Sequence, residues 1–282
     1  MRAGYIELMI SSSSELDSAY TLTPEQIRLF RENGFIKLKQ VLSAEALWHF
    51  GEEISRRVLR LNTNTKPMEQ RTTYQKAFLQ VMNLWTKSEM VKELVFSRRL
   101  ARIAAELMGV GGVRLYHDQA LYKEPSGGFT PWHADQYYWP VDTDNTVTAW
   151  IPLQPVTREM GPLAFSATSH KFAVGRNLEI SDDSEIKISK ALLDRGLPLV
   201  DEPFQLGEVS FHYGWTFHRA GPNTSTEPRK IMTIIYIEDG CRVAEPTNKN
   251  QQGDINAWMP GLKPGELVQT HLNPLLFSMN DD

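Results

Sequence analysis

The chain has 282 residues, of which 41% are hydrophobic and 23% charged, an ordinary composition for a globular protein that buries one or two cores. A net charge of −4 argues against electrostatic nucleic-acid binding, which requires a basic excess. The single cysteine, Cys241, excludes an internal disulfide and a thiolate metal cluster and points to a reducing, cytoplasmic compartment. No apolar run approaches the ~18 residues of a membrane span, so neither a nucleic acid nor a membrane is expected as partner.

Residues 1–20 are Ser-rich and aperiodic, with acidic residues and no continuous apolar stretch, and read as a mobile arm rather than a leader. Order begins at the capping box Thr23-Pro24-Glu25-Gln26. The helix it opens buries Ile27 and Phe30 and stops near Asn33-Gly34. Phe35 to Val41 alternates as a strand. Ser43 caps a longer helix whose apolar residues Leu47, Phe50, Ile54, Val58 and Leu61 recur at spacings of three and four. A third helical stretch covers roughly 88–108, with Val91, Leu94, Val95, Ile103, Leu107 and Met108 inward, and ends at the glycines from 109 to 112.

Beyond residue 112 the period switches to two. Strands are predicted at 113–123, 130–139, 145–153, 208–213 and 229–238, with a helix inserted at about 184–195. The tail after 240 is rich in Pro and Gly and reads as loop closing over something. Short strands at this density predict a mainly β fold with flanking helices (α+β), of the jelly-roll type. With no repeat or composition break, 21–282 reads as one domain: a helical part 21–112, a β core 113–240 and a loop-rich tail 241–282.

The most informative string is Pro131-Trp132-His133-Ala134-Asp135-Gln136-Tyr137-Tyr138-Trp139. Side chains two apart on a strand share a face, so His133 and Asp135 project together. An imidazole and a carboxylate aimed the same way are two of the three ligands of a facial iron(II) site. The plainer reading is a hydrogen-bonded pair at a strand end. A second string, Gly207 to Asn223, reads as strand, tight turn and strand, and carries both His212 and His218 as third-ligand candidates. Arg229 then opens the apolar strand Arg229-Lys230-Ile231-Met232-Thr233-Ile234-Ile235-Tyr236-Ile237. A buried guanidinium needs an anionic partner, either a dicarboxylate co-substrate or a local acid such as Glu227 or Glu238. Tyr137, Tyr138, Trp139 and Trp215 either line a substrate pocket or cap the sheet. His49 reads as solvent-facing, and His117, His170 and His271 as structural.

His133-x-Asp135, then His218 and Arg229, with Gly207-Glu208 before and Asn223 after the distal histidine, resembles the phytanoyl-CoA dioxygenase-like family of iron(II)/2-oxoglutarate oxygenases. Asn33-Gly34-Phe35, Trp150, Met160-Gly161-Pro162-Leu163 and Ser169-His170-Lys171 add to the resemblance, which spans roughly 22–240. One departure is Ala167-Thr168, where the family often has Pro-Gly, and only a changed turn is expected from it. The resemblance implies a double-stranded β-helix, iron(II) held by His133, Asp135 and His218, and 2-oxoglutarate gripped by Arg229 with Trp150 and Gln119 nearby. The spacings to Asn223 and Arg229 match only if His218, not His212, is the ligand. The implied reaction uses dioxygen to hydroxylate a small organic molecule, with release of succinate and carbon dioxide. A carboxylate at 135 fills the position a halide would take, which favours hydroxylation over halogenation. The same cofactors also serve desaturases, cyclases and epimerases. The rival from another class is a non-catalytic jelly-roll binding module, and a cupin-type enzyme without 2-oxoglutarate is disfavoured by Arg229.

Overall fold

The computed structural model describes residues 14–281. Helices α1 (Pro24–Asn33), α2 (Ala44–Leu61), α3 (Thr73–Ala77), α4 (Glu89–Val95) and α5 (Arg98–Met108) precede most of the sheet. Strands β1 (Phe35–Leu38) and β2 (Leu79–Met82) lie among them. Then follow β3 (Gly112–Lys123), β4 (Thr130–His133), β5 (Thr146–Pro152), β6 (Leu163–Ser166), α6 (Asp182–Asp194), β7 (Leu199–Asp201), β8 (Val209–Tyr213), β9 (His218–Ala220), β10 (Arg229–Glu238), α7 (Lys249–Trp258) and β11 (Leu275–Ser278).

Two antiparallel sheets form a jelly roll. The larger runs β1-β8-β5-β10-β3-β11 with β2 also paired to β3, and the smaller runs β4-β9-β6-β7. The alternation of β10 shows how the layers are built. Met232, Ile234 and Tyr236 face outward into a core shared with α2, α4 and α5, while Ile231 faces the small sheet and Ile235 packs under the tail with Ile255, Met259 and Val268. A strand covered on both faces reads as a continuous apolar run, as this one does.

The capping box of α1 forms as predicted, and Gly34 ends the helix with φ 87°. The Gly34 carbonyl accepts the Thr216 hydroxyl at 2.7 Å, which ties this turn to the hairpin leading into β9. Several expectations are corrected. The helical stretch 88–108 breaks at Phe96-Ser97, because the Ser97 side chain accepts from Leu100 N and starts a new helix. The strand predicted over 130–139 ends at His133, and Asp135–Tyr138 is a 3₁₀ turn. The tail is mostly loop, as expected, but it also supplies α7 and β11. Segments β1, β2 and β11 join the large sheet although they lie outside the predicted β core. Residues 14–20, assigned to a mobile arm, are packed: Leu16 is buried, and Glu15 accepts from the Ser43 hydroxyl at 2.6 Å and pairs with Arg99 at 3.0 Å. The rest of that arm, 1–13, lies outside the described residues. His49 is buried rather than solvent-facing.

Candidate active site

His133 closes β4 and His218 opens β9, and the two are register partners. Their rings stand side by side with centroids 4.1 Å apart. Ala134 stays extended (φ −123°, ψ 130°), so the Asp135 carboxylate returns to the His133 face even though the strand has ended. The Nε2 atoms of His133 and His218 each lie 3.6 Å from Asp135 Oδ1. Ligand atoms of all three residues fall within 4.8 Å of one another.

The hydrogen bonds behind these groups fix what they present. His133 Nδ1 meets the Pro131 carbonyl at 2.8 Å and His218 Nδ1 meets the Thr216 carbonyl at 3.0 Å. A carbonyl only accepts, so each Nδ1 carries the proton and each Nε2 offers a bare lone pair. Burial, followed by the neighbouring His133, holds His218 well below the usual imidazole range. Three acceptors therefore converge with no hydrogen between them. Such a cluster is repulsive until a cation enters, and two imidazoles with one carboxylate are the donor set of non-haem iron(II).

The other carboxylate oxygen, Oδ2, accepts from the Thr148 hydroxyl at 3.0 Å and lies 3.3 Å from His212 Nε2. His212 thus meets the other oxygen of Asp135, with its ring 4.5 Å from that of His218.

Arg229 is 2% exposed. Its Nη1 donates to the Gly161 carbonyl, its guanidinium lies 5.5 Å from the centre of the Trp150 ring, and its Nε has no partner. Burial is all that moves its pKa, down to about 9, so it remains a cation at neutral pH with no carboxylate beside it among the described residues. Glu238, a possible local partner, is instead taken by Thr143 and Asn145 at 2.9 Å each. The Gly161 carbonyl reaches Arg229 from a left-handed φ of 68°, and a Cβ there would come within 2.2 Å of the Gly221 oxygen.

All four groups line one cavity of about 450 Å³. The β10–β3 ladder pairs Arg229 with Lys123, Thr233 with Gln119 and Ile235 with His117. Thr148 pairs with Ile235, which puts the Asp135 end of the cavity at the His117 row.

Of the other expected site residues, Trp150, Gln119, Tyr138 and Trp139 line the cavity. Tyr137 and Trp215 do not. The three-residue period of the 3₁₀ turn points Tyr137 and Tyr138 in different directions, and their rings meet edge-on at 4.9 Å. Trp215 donates to Asp144 at 2.8 Å and stacks under Arg176. Thr148, Asp254 and Trp258 line the cavity without having been singled out, and His117, read as structural, lines it as well. Alternation offered a signal for two of them, since His117 shares a face with Gln119 and Thr148 with Trp150.

A jelly roll enclosing two imidazoles, a carboxylate and a buried unpaired arginine defines the class of iron(II)- and 2-oxoglutarate-dependent oxygenases. The sequence pattern of the phytanoyl-CoA dioxygenase (PhyH) family matches residues 30–231, and the chain belongs to that family. It is 27% identical over 225 residues to the probable alpha-ketoglutarate-dependent hypophosphite dioxygenase of Stutzerimonas stutzeri, covering 75% of this chain and 77% of that one. It is 26% identical over 229 residues to the methylphosphonate hydroxylase of Gimesia maris, covering 77% and 81%. Among solved structures, the non-heme alpha-ketoglutarate-dependent carbocyclase SnoK from nogalamycin biosynthesis superposes with a TM-score of 0.74 at 25% identity, over 92% of this chain and 99% of that one. The protein is an iron(II)/2-oxoglutarate-dependent dioxygenase.

Proposed function

We propose that His133, Asp135 and His218 hold iron(II), that Arg229 grips the distal carboxylate of 2-oxoglutarate, and that the enzyme hydroxylates a small organic molecule in the cytoplasm. The observation that carries this reading is the pairing, within one cavity, of a cluster of bare acceptors with a buried unpaired guanidinium. One needs a cation and the other an anion, and a 2-oxo dicarboxylate chelating iron(II) supplies both. When bound, iron(II) and 2-oxoglutarate together draw on dioxygen to oxidise a C–H bond, releasing succinate and carbon dioxide.

The chain's own residues do the positioning. Carbonyls 131 and 216 hold both imidazoles with Nε2 forward, and Thr148 and His212 fix the carboxylate. Trp150 walls the guanidinium, and Gln119 lies on the Thr233 row between the two ends. Tyr138 and Trp139 border the space left for substrate and keep water from it.

A cyclase or epimerase outcome remains the second reading, favoured by the likeness to SnoK over nearly the whole chain. The two curated relatives are named for small phosphorus oxyanions. Among the described residues no cationic side chain besides Arg229 lines this cavity, so we infer a different substrate. The test is anaerobic calorimetry of 2-oxoglutarate with and without iron(II), followed by succinate detection across a metabolite pool. Co-substrate binding that depends on the metal supports the reading, and binding that ignores the metal overturns it.

A further inference from the structure

Beyond the iron and co-substrate groups, the cavity is closed by a helix that the family pattern does not reach. Asn250, Asp254, Ala257 and Trp258 of α7 line it, whereas the family match ends at residue 231. Asp254 and Trp258 are one helical turn apart and share a face. The Asp254 carboxylate accepts the Tyr116 hydroxyl at 2.9 Å and a hydrogen bond from the Trp258 indole, yet no cation faces it among the described residues. Across the cavity His117 is 3% exposed with Nδ1 unpartnered, and its ring lies 5.4 Å from that of Trp258. Burial holds His117 down at about 4, so it is neutral at pH 7 and has a lone pair to offer. The rim adds a second carboxylate, Glu179, which among the described residues takes only the Asn250 amide, at 3.2 Å. Tyr138, Trp139 and Trp258 supply aromatic walls.

A half-buried carboxylate without a counter-ion, a neutral imidazole with an unpartnered Nδ1 and aromatic faces around them fit one kind of group. An ammonium donates to both acceptors and is attracted by the rings. An anion would meet Asp254 and Glu179 with no free cation to offset them. We propose that the substrate is a ring-bearing molecule with a basic nitrogen, held as an ammonium by Asp254 and His117 and steered inward by Glu179. The inference rests on the oxygenase reading, which leaves the α7 end of the cavity to the substrate.

The experiment uses full-length protein loaded with zinc(II) in place of iron and with 2-oxoglutarate, so that binding is read without turnover. Affinities are measured by calorimetry for 2-phenylethylamine, 2-phenylethanol and phenylacetate. The amine should bind roughly tenfold more tightly than the alcohol, the scale of one charge-assisted hydrogen bond, and phenylacetate more weakly still. Asp254→Asn should remove the amine's advantage and leave the alcohol's affinity and 2-oxoglutarate binding unchanged, and Glu179→Gln should produce a smaller loss. Burial raises Asp254 to about 7, so the amine's advantage should also shrink as pH falls from 8 to 6. An alcohol or carboxylate that binds as well as the amine, no amine binding at all, or an amine preference surviving both substitutions would each overturn the proposal. Failure of 2-oxoglutarate to bind the zinc-loaded protein would instead overturn the oxygenase reading beneath it.

Discussion

Asp135 divides its two oxygens between different tasks, and the division sorts the two histidines of the β8–β9 hairpin. Oδ1 faces His133 and His218, while Oδ2 faces Thr148 and His212. His218→Ala removes a donor from the cluster itself, so iron(II) binding at micromolar metal should disappear. His212→Ala removes only a contact to the other carboxylate oxygen, and metal affinity should fall about 10–100-fold, the usual effect of losing an outer partner. Equilibrium dialysis of the two variants measures this, and the reverse order of severity would make His212 the ligand. At the other end of the cavity, Arg229→Ala should weaken 2-oxoglutarate by about 2–5 kcal/mol, the range for truncating one partner of a buried hydrogen-bonded charge pair. Lysine should recover only part, because a point charge cannot reproduce a planar two-bond grip. Unchanged co-substrate affinity in Arg229→Ala would separate Arg229 from the co-substrate altogether.

The strands carrying the two imidazoles are short, and Lys123 at the end of β3 holds the segments around them. Its Nζ is fully buried and donates to the Gly128 carbonyl at 2.5 Å, the Gly221 carbonyl at 2.9 Å and the Thr130 hydroxyl at 3.3 Å. One buried amine, its pKa held down to about 6 by burial and then by the nearby Arg229, thus joins the approach to β4 with the exit from β9. Lys123→Met would keep the apolar stem and leave two part-buried carbonyls unpaired, at a cost of about 2–4 kcal/mol. The urea midpoint should drop with an unchanged slope, and a midpoint equal to wild type would show that the Lys123 amine holds nothing together. No sequence signal marked Lys123, because a lysine ending a strand ordinarily faces solvent. What was legible followed local rules: caps at Thr23, Ser43 and Gly109, and the two-residue period of β3, β5, β8 and β10. The His133–Asp135 pair was readable for the same reason, since extended backbone at Ala134 preserves alternation past the strand end. Three-residue strands such as β7 and β9 are too short to show a period. The exposed faces of α7 and the scattered Pro and Gly around it hid a helix that walls the cavity. Tertiary pairing makes these elements, and their own sequence carries little of it.

Across the whole molecule, β3 separates a cavity face from a helix face, and a titratable group is buried on each. Gln119 and His117 look into the cavity. Asp118 points the other way, is 0% exposed, and accepts from Leu84 N at 2.9 Å and Trp85 N at 3.4 Å where the residues before α4 dock on the sheet. Burial outweighs those hydrogen bonds and raises its pKa from 3.8 to about 7. An acid with a raised folded pKa keeps its proton where the unfolded chain has lost it. Its contribution is therefore fully present below pH 3.8 and is lost as pH rises toward about 7, since the folded state must then bury a charge. His117 acts in the opposite sense, gaining stability as pH rises from about 4 to 6.5, so the wild-type curve alone does not isolate Asp118. The difference between wild type and Asp118→Asn does. The amide imitates the protonated acid and keeps an acceptor for Leu84 N, so the two proteins should unfold at similar urea concentrations near pH 4.5. Above pH 8 the variant should be the more stable, by on the order of 2–4 kcal/mol. Urea titrations at the two pH values measure the gap, and a gap that does not widen with pH would mean that Asp118 is ionised throughout and that the α4 side of the sheet already accommodates its charge.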